Sequence, residues 1–178
     1  MAEKYKIVII ADEIYEDMVF SGQEYVPLAR ISKRVPILTC SGLAKRFLVP
    51  GWRFGWIGIH DAGHDLSEIR KGLFDLSGLI IGANTLIQGA LPDIFQNTPD
   101  SFFQETNAVL EENARLVHDL LSQIPQLKVI KPQGTLYMLV GINTSAIMDI
   151  RDDVDFTEQL LASQSVSVLP GTVRNQKN

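Results

Sequence analysis

The sequence predicts an α/β fold, with a mainly parallel sheet and helices followed by a smaller α+β segment. Lys6 to Ala11 is a continuous apolar run rich in β-branched residues, which is typical of a strand covered on both faces. Val35 to Cys40 is a second strand-like run, and Trp52 to His60 is a third. Helical spacing dominates from Leu66 to Gln123, with the first helix expected to start near Leu66. Strands and helices in this succession indicate the α/β class.

The predicted domain boundaries divide the chain into three parts. Residues 1–98 contain the predicted sheet and its helices. A helix stop at Asn97 is followed by a new start, with Thr98 as the expected N-cap ahead of Pro99. Residues 99–124 then form one long connecting helix, whose apolar stripe is typical of a packing helix rather than a catalytic one.

Residues 125–178 form the third predicted part, in which short strands return. The pattern predicts two strands, a helix and a final strand, over Leu127 to Ile130, Leu136 to Ile142, Asp152 to Ser163 and Val166 to Leu169. This succession predicts a small α+β domain.

Composition excludes several classes of function. The net charge of −5 and the pI near 5.2 argue against nucleic-acid binding, which needs a basic face. Cys40 is the single cysteine, so neither an internal disulfide nor a cysteine-based metal site is expected, and the three histidines show no ligand spacing. The longest uncharged stretch, Leu76 to Pro92, is too polar to span a bilayer, and we interpret it as a buried helix or a subunit interface. No secretory signal is visible, which predicts a cytoplasmic protein and leaves a mitochondrial location open.

Lys45 is the first candidate for chemistry. The second predicted strand ends just before it, and small residues at Ser41, Gly42 and Ala44 leave the backbone bare around its ammonium group. Arg53 is expected at the start of the next strand, within reach of the same ligand. A nearby guanidinium favours a neutral lysine amine, which is the form that makes a Schiff base. The alternative is a solvated basic turn, the commoner outcome for clustered charges.

Asp12 and Tyr15 are the second candidates, because they follow the first predicted strand. Open α/β sheets hold ligands at the carboxyl ends of their strands, so a carboxylate there meets a cationic group and a phenol lies nearby. The alternatives are a turn-forming aspartate and a half-buried packing tyrosine.

Five stretches of the chain resemble the fold-type I pyridoxal-phosphate aminotransferases, with similarity from about residue 5 to Thr172. The stretches are ADEIYEDMVF (residues 11–20), SGLAKRFLVPGWRFGW (41–56), GANTLIQGAL (82–91), KPQGTLYMLVGI (131–142) and DVDFTEQLLASQSVSVLPGT (153–172). Together they are more specific than any one motif, and they displace the solvated-turn interpretation of Lys45. The fold that they imply is part of the large domain of a pyridoxal-phosphate transferase, followed by an incomplete small domain.

The resemblance implies a role for each candidate residue. Lys45 would bind pyridoxal 5′-phosphate covalently and then act as the acid and base that moves a proton between substrate and cofactor. Asp12 would pair with the protonated pyridine nitrogen, and Tyr15 would hydrogen-bond the 3′ oxygen of the ring. Arg53 would bind the cofactor phosphate. Gly42 departs from the pattern, because many relatives have a phosphate-binding serine at that position and here Ser41 is one residue away.

The implied activity is transamination of L-tyrosine or another aromatic amino acid with 2-oxoglutarate, in amino-acid catabolism. The implied partners are these small molecules and, for a full-length member, a second copy in a homodimer. The resemblance also implies that segments of the family lie upstream of this chain and beyond Thr172, including the arginine that binds the substrate carboxylate. Two alternatives stay open. One is an inactive truncated product that pairs with a full-length subunit, and the other is a carbon–sulfur lyase on the same scaffold.

Overall fold

The computed structural model describes residues 1–174, so the last four residues of the predicted third part lie outside the described residues. The chain forms two compact units. The first consists of Met1–Glu111 together with Gln133–Thr135, and the second of Glu112–Pro132 together with the residues from Leu136 onward.

The first unit is built on a three-stranded sheet in the order β1-β2-β3, with strands β1 (Ile9–Asp12), β2 (Ile37–Gly42) and β3 (Gly55–His60). Strands β1 and β2 are parallel, whereas β2 and β3 are antiparallel. The carboxyl ends of β1 and β2 and the start of β3 therefore lie at one edge of the sheet. The predicted α/β class is confirmed, and the two strand pairings are one parallel and one antiparallel.

The first unit also contains several helical segments. They are α1 (Ala2–Tyr5), α2 (Leu28–Ile31), α3 (Leu43–Arg46), a 3-10 helix (Pro50–Trp52), α4 (Ser67–Leu79), α5 (Thr85–Asn97) and the first part of α6 (Asp100–Leu121). Helix α4 begins where the sequence predicts. In the turn before it, the Asp61 carboxylate accepts hydrogen bonds from the backbone N–H groups of Asp65 and Leu66 at 2.9 Å each. Asn84 caps α5 by accepting from the N–H of Leu86 at 2.9 Å.

Thr98 differs from its predicted role. A helix does start at Asp100, directly after Pro99, as the sequence predicts. The Thr98 hydroxyl, however, donates to the carbonyl of Ile94 at 2.6 Å and so belongs to the end of α5. A hydroxyl that returns to the carbonyl four residues earlier competes with capping of the next helix.

One buried apolar cluster of the first unit lies on a single face of the sheet. Ala11, Val35 and Ile37 form a buried cluster there, whereas the side chain of Ile10 on the other face of β1 is 72% exposed. The prediction that the first strand is covered on both faces is therefore wrong for this chain. In the described residues β1 is an edge strand with no layer over Ile10.

A cluster of aromatic rings fixes the segment after β2. The ring of Phe47 packs edge-on against Phe95 of α5 and Phe103 of α6, with centroid distances of 5.7 and 5.5 Å. Trp56 of β3 contacts Phe95 in the same way at 6.0 Å. Such pairs stabilise by about 0.5–1.5 kcal/mol beyond the burial of their area, so α3 is anchored just beyond Lys45.

The second unit contains the end of α6, a two-stranded antiparallel sheet of β4 (Leu127–Val129) and β5 (Val140–Ile142), and helix α7 (Asp153–Gln164). Two 3-10 helices, Thr144–Ala146 and Gly171–Arg174, complete it. Asp152 caps α7 by accepting from the N–H of Asp155 at 2.8 Å. The two strands and the helix confirm most of the predicted α+β pattern.

The predicted final strand at Val166 to Leu169 is wrong, because these residues have no regular structure. Leu169 is 80% exposed, and Val166 and Val168 are nearly half exposed. An alternating apolar run becomes a strand only when another strand pairs with it, and no strand within residues 1–174 does so here.

Candidate cofactor site

The candidate site lies at the sheet edge where β1 and β2 end. Asp12 is the last residue of β1 and lies opposite Cys40, and the pairing continues when the N–H of Glu13 donates to the Cys40 carbonyl at 2.9 Å. Strand β2 runs into α3 directly at Gly42, so Lys45 lies within one turn of the strand end. The parallel register thus brings Asp12 and Lys45 to the same edge.

The amine of Lys45 lies over the ring of Tyr15, with 5.5 Å between Nζ and the ring centroid. Both side chains are half-buried, in contrast to the solvated basic turn that was the alternative. A cation over an aromatic face at this distance is attracted by the ring quadrupole, by about 0.5–1 kcal/mol when exposed and more when desolvated. The structure therefore joins two of the predicted site residues directly.

The turn after β1 carries Tyr15. Its backbone closes through hydrogen bonds from the N–H of Glu16 to the Glu13 carbonyl at 3.1 Å and from the N–H of Met18 to the Tyr15 carbonyl at 2.9 Å. One carboxylate oxygen of Asp12 accepts a long bond of 3.4 Å from the N–H of Ile14, the interaction expected of a turn-forming aspartate. The Asp12 side chain is nevertheless exposed at the edge.

A cavity of about 260 Å³ opens beside this turn. Its walls include Asp12, Tyr15, Glu16, Tyr25 and the segment Gln133–Thr135, all of which belong to the first unit. The volume approaches the lower end of the range for small-molecule pockets.

Gly134 brings its segment against the Tyr15 turn. It forms an antiparallel bridge with Val19, and the N–H of Thr135 donates to the Met18 carbonyl at 2.8 Å. A Cβ atom on Gly134 would overlap the Met18 carbonyl oxygen, so a glycine is needed for this close approach. The wall of the cavity therefore depends on a residue without a side chain.

Acidic groups line the inner side of the cavity. Glu13 is 7% exposed and accepts from the N–H of Leu28 at 2.9 Å. Burial raises the pKa of Tyr25, and its hydrogen bond to Glu13 raises this pKa further. Burial also raises the pKa of Glu16, against the lowering effect of a hydrogen bond from Ser41. The Glu16 carboxyl and the Tyr25 phenol therefore keep their protons up to a higher pH than they would in water.

Arg53 lies at the same sheet edge but is not brought into the cavity. Its guanidinium donates to the carbonyl of Pro50 at 3.1 Å and is exposed. Its φ of 51° is in the left-handed region, as is that of Leu48 at 56°, so the loop between Lys45 and β3 has two strained residues. Strained backbone of this kind clusters at functional sites, and the role of Arg53 stays a prediction.

Gly42 explains why a serine does not fit at its position. A Cβ atom there would lie 2.6 Å from the Phe54 carbonyl oxygen and 2.9 Å from Cα of Gly55. The adjacent Ser41 donates its hydroxyl to a Glu16 oxygen at 3.1 Å instead. Gly42 therefore has no side chain that could bind a phosphate, and the hydroxyl of Ser41 is bonded to Glu16.

Sequence reasoning missed several residues of the cavity wall. The sequence patterns predict no role for Glu16 or Tyr25, yet both residues line the cavity. They predict none for Gln133–Thr135 either. The acidic run that surrounds Tyr15 in ADEIYED was the available signal for Glu13 and Glu16, whereas the long-range contact of Gly134 has no local signature.

Residues 1–174 show neither a cluster of metal-binding side chains nor a membrane-spanning helix. No group of three His, Cys, Asp or Glu side chains among them could hold a metal ion. None of the helices formed by these residues has the length and apolar character needed to cross a membrane.

Comparison with known proteins shows the family. Residues 1–176 match the family described as aminotransferase class I and II, and the chain belongs to it. The chain is 51% identical over 174 residues to tyrosine aminotransferase of Mus musculus and 45% identical over 170 residues to that of Caenorhabditis elegans. The structure of tyrosine aminotransferase from Leishmania infantum matches with a TM-score of 0.91 and 30% identity.

These matches cover almost all of this chain but only part of each relative. They span 97% of the chain and 38% of the mouse protein, and 97% of the chain and 42% of the Leishmania structure. The chain thus spans about four-tenths of the length of the relatives that it matches. The predicted family and its fold are confirmed.

The residues at the sheet edge fit pyridoxal phosphate, the cofactor expected for this family. The Lys45 amine lies over the Tyr15 ring, and Asp12 and Tyr15 both line the cavity, whose lining does not include Lys45. An amine, a carboxylate and a phenol suit an aldehyde, a protonated ring nitrogen and a ring oxygen. The side chain of Arg53, which is directed to the Pro50 carbonyl, is the one member of the predicted set that is turned elsewhere.

Proposed function

We propose that this chain carries the lysine-bearing part of the cofactor site of an aminotransferase that uses pyridoxal 5′-phosphate. The observation that carries the proposal is the position of the Lys45 amine over the Tyr15 ring, at the sheet edge where Asp12 ends β1. The proposed substrates are an aromatic amino acid, L-tyrosine first, and 2-oxoglutarate as amino-group acceptor, in amino-acid catabolism. The similarity of the chain to the tyrosine aminotransferases of mouse and Caenorhabditis elegans supports this choice.

Lys45 has the central chemical role in this proposal. Its amine would hold the cofactor at its aldehyde group, and it would carry the proton that moves to and from the substrate Cα. When bound, pyridoxal phosphate supplies a sink for the electron pair that Cα keeps when its proton leaves. The half-buried position of Lys45 restricts the access of water to the amine.

Asp12, Tyr15 and Arg53 orient the cofactor in the same proposal. The Asp12 carboxylate accepts a hydrogen bond from the protonated ring nitrogen, a charge-assisted contact. The Tyr15 phenol would donate a hydrogen bond to the 3′ oxygen of the cofactor ring. Arg53 binds the phosphate, and for this its guanidinium has to leave the Pro50 carbonyl, an exposed bond that is easily exchanged.

A homodimer is the proposed assembly of the full-length protein. The stretch Leu76 to Pro92 is uncharged, and Leu79, Ile81 and Leu86 in it are 79, 89 and 81% exposed. Contiguous exposed apolar residues mark interaction sites, and a second subunit is the proposed partner. Co-purification of a tagged and an untagged copy tests it, and a strictly monomeric full-length protein contradicts it.

The function is tested with the purified chain, pyridoxal phosphate, L-tyrosine and 2-oxoglutarate. A new visible absorbance band, with 4-hydroxyphenylpyruvate and glutamate as products, supports the proposal. Release of pyruvate, ammonia and thiocysteine from cystine, without any keto-acid exchange, indicates the lyase alternative. An absorbance band without turnover favours the alternative in which this chain is inactive by itself, and mixing with a full-length relative then tests pairing. Absence of any band contradicts the cofactor site.

A further inference from the structure

Two side-chain contacts connect the Tyr15 turn to the segment that carries Lys45. Glu16 and Asp17 directly follow Tyr15 in the turn after β1. Glu16 contacts Ser41, at the end of β2, and Asp17 contacts Arg46, the residue after Lys45. The two contacts thus lie on either side of Lys45 along the chain.

The Glu16 contact is a hydrogen bond in partly buried surroundings. The Ser41 hydroxyl donates to Oε1 of Glu16 at 3.1 Å. Burial raises the pKa of the Glu16 carboxyl, which means that its charged form is poorly hydrated at this place. A poorly hydrated carboxylate gains more from one donated hydrogen bond than an exposed one does.

The Asp17 contact is ionic. Nε of Arg46 lies 3.1 Å from Oδ2 of Asp17, and each side chain is about one-third exposed, at 35 and 34%. The same two atoms lack hydrogen-bond geometry, so we treat the contact as an ion pair rather than as a directional bond. The guanidinium also stacks on Phe103 at 4.9 Å, and Asn107 donates to the Asp17 carbonyl at 2.9 Å. The pair is therefore supported on both sides.

We propose that Glu16 and Asp17 are positioning residues that hold the ring of Tyr15 against the amine of Lys45. The segment that carries Lys45 is held at both ends by other contacts. Before Lys45, β2 is hydrogen-bonded to β1, and after it Phe47 packs in the aromatic cluster. Residues 14–17 lie outside the strands, and these two contacts link the side chains that follow Tyr15 to the residues on both sides of Lys45. The importance of this distance for the cofactor rests on the proposed function.

Carbon-13 NMR after reductive methylation of the lysines tests this proposal without cofactor. The ring of Tyr15 shifts the dimethylamino signal of Lys45 away from those of the other lysines, and loss of the signal in Lys45→Arg assigns it. Tyr15→Leu gives the position of this signal without a ring. In the variant Glu16→Ala/Asp17→Ala the signal is expected to move toward its position in Tyr15→Leu. Ser41→Ala, which removes the Glu16 bond from the other side, is expected to give a smaller shift in the same direction.

The matched control is Glu112→Ala. It removes an exposed ion pair with Arg115 on α6, and the Lys45 signal is expected to stay at its wild-type position. A Lys45 signal that also stays in place in a folded Glu16→Ala/Asp17→Ala variant overturns the proposal. If that variant does not fold, as judged by its circular dichroism, the folded Ser41→Ala variant decides by the same criterion. Because no cofactor is present, failure of this proposal is distinguishable from failure to bind pyridoxal phosphate.

Discussion

Asp12 lies directly opposite Cys40 in the parallel pairing of β1 with β2, and Lys45 lies in α3, the short helix that directly follows β2. This register alone brings a carboxylate and an amine to one edge of the sheet. Tyr15, on the turn after Asp12, then lies under the amine. The proposed cofactor site thus consists of side chains at the ends of two neighbouring strands. The contribution of each side chain can be tested by a single substitution.

Replacing Asp12 with Asn is expected to weaken binding of pyridoxal phosphate about 10- to 100-fold, because a hydrogen bond to a charged group contributes about 1.5–3 kcal/mol. An absorbance titration of the two proteins with the cofactor measures the change. Asp75→Asn, an exposed aspartate on α4, is the matched control and is expected to bind as the wild type does. Equal affinity of the Asp12→Asn protein would rule out the proposed contact with the ring nitrogen.

Gly42→Ala is expected to destabilise the protein by about 1–3 kcal/mol, because the added Cβ meets the Phe54 carbonyl and Gly55 of β3. Urea denaturation measures the change in the free energy of unfolding. The control is Gly51→Ala, where nothing lies within 4 Å of the added atom, and its effect is expected within about 0.5 kcal/mol of zero. If the two variants were equally stable, the close approach of β2 and β3 would be incorrect.

Asp152→Ala is expected to lower stability by about 1 kcal/mol, because the N–H of Asp155 loses the oxygen that caps α7. Asp152→Asn keeps an acceptor at the cap and is the matched control, with an expected effect of a few tenths of a kcal/mol. Denaturation of both variants followed by far-ultraviolet circular dichroism measures the difference. Equal losses would show that charge rather than capping is responsible.

Asp155 gives the second unit an acid-sensitive contact. Hydrogen bonds from Arg151, through its side chain and its backbone, lower the pKa of the Asp155 carboxyl below its usual range, and Gln159 adds to this effect. A carboxyl whose pKa is lower in the folded state stabilises the protein above the ordinary pKa of about 3.9, and this stabilisation is lost as the pH falls below it.

The expected result is that Asp155→Asn lowers the Tm at pH 7 and that its difference from the wild type shrinks below about pH 4. Thermal unfolding of the two proteins between pH 7 and pH 2 measures this. Glu158→Gln, on an exposed position of the same helix, is the control. A difference in Tm that stays constant over the whole range would exclude Asp155 as the titrating group.

The local patterns of the sequence predicted the strand ends well. The runs before Asp12 and Lys45 are apolar and end in polar or small residues, and this pattern is sufficient to predict which residues leave the sheet at its ligand edge. It also predicted the long helix, because apolar residues repeat at helical spacing over several turns.

Features that depend on distant partners were not predictable in the same way. Val166 to Leu169 alternates like a strand but lacks a pairing strand in the described part of the chain, and Ile10 belongs to a run that looks buried on both faces but is exposed. Gly134 reaches the Met18 carbonyl across more than a hundred residues of sequence, and no local pattern encodes such a contact. The burial of a strand and the walls of a cavity depend on what packs against them.

The most direct test of the account is the identity of the lysine that binds pyridoxal phosphate. The chain is incubated with the cofactor and reduced with borohydride, and the labelled peptide is mapped by mass spectrometry, with Lys71→Arg as the matched control for Lys45→Arg. The account predicts label on Lys45 in the wild type and in Lys71→Arg, and its loss in Lys45→Arg. Specific label on any other lysine, or no label at all, would contradict it.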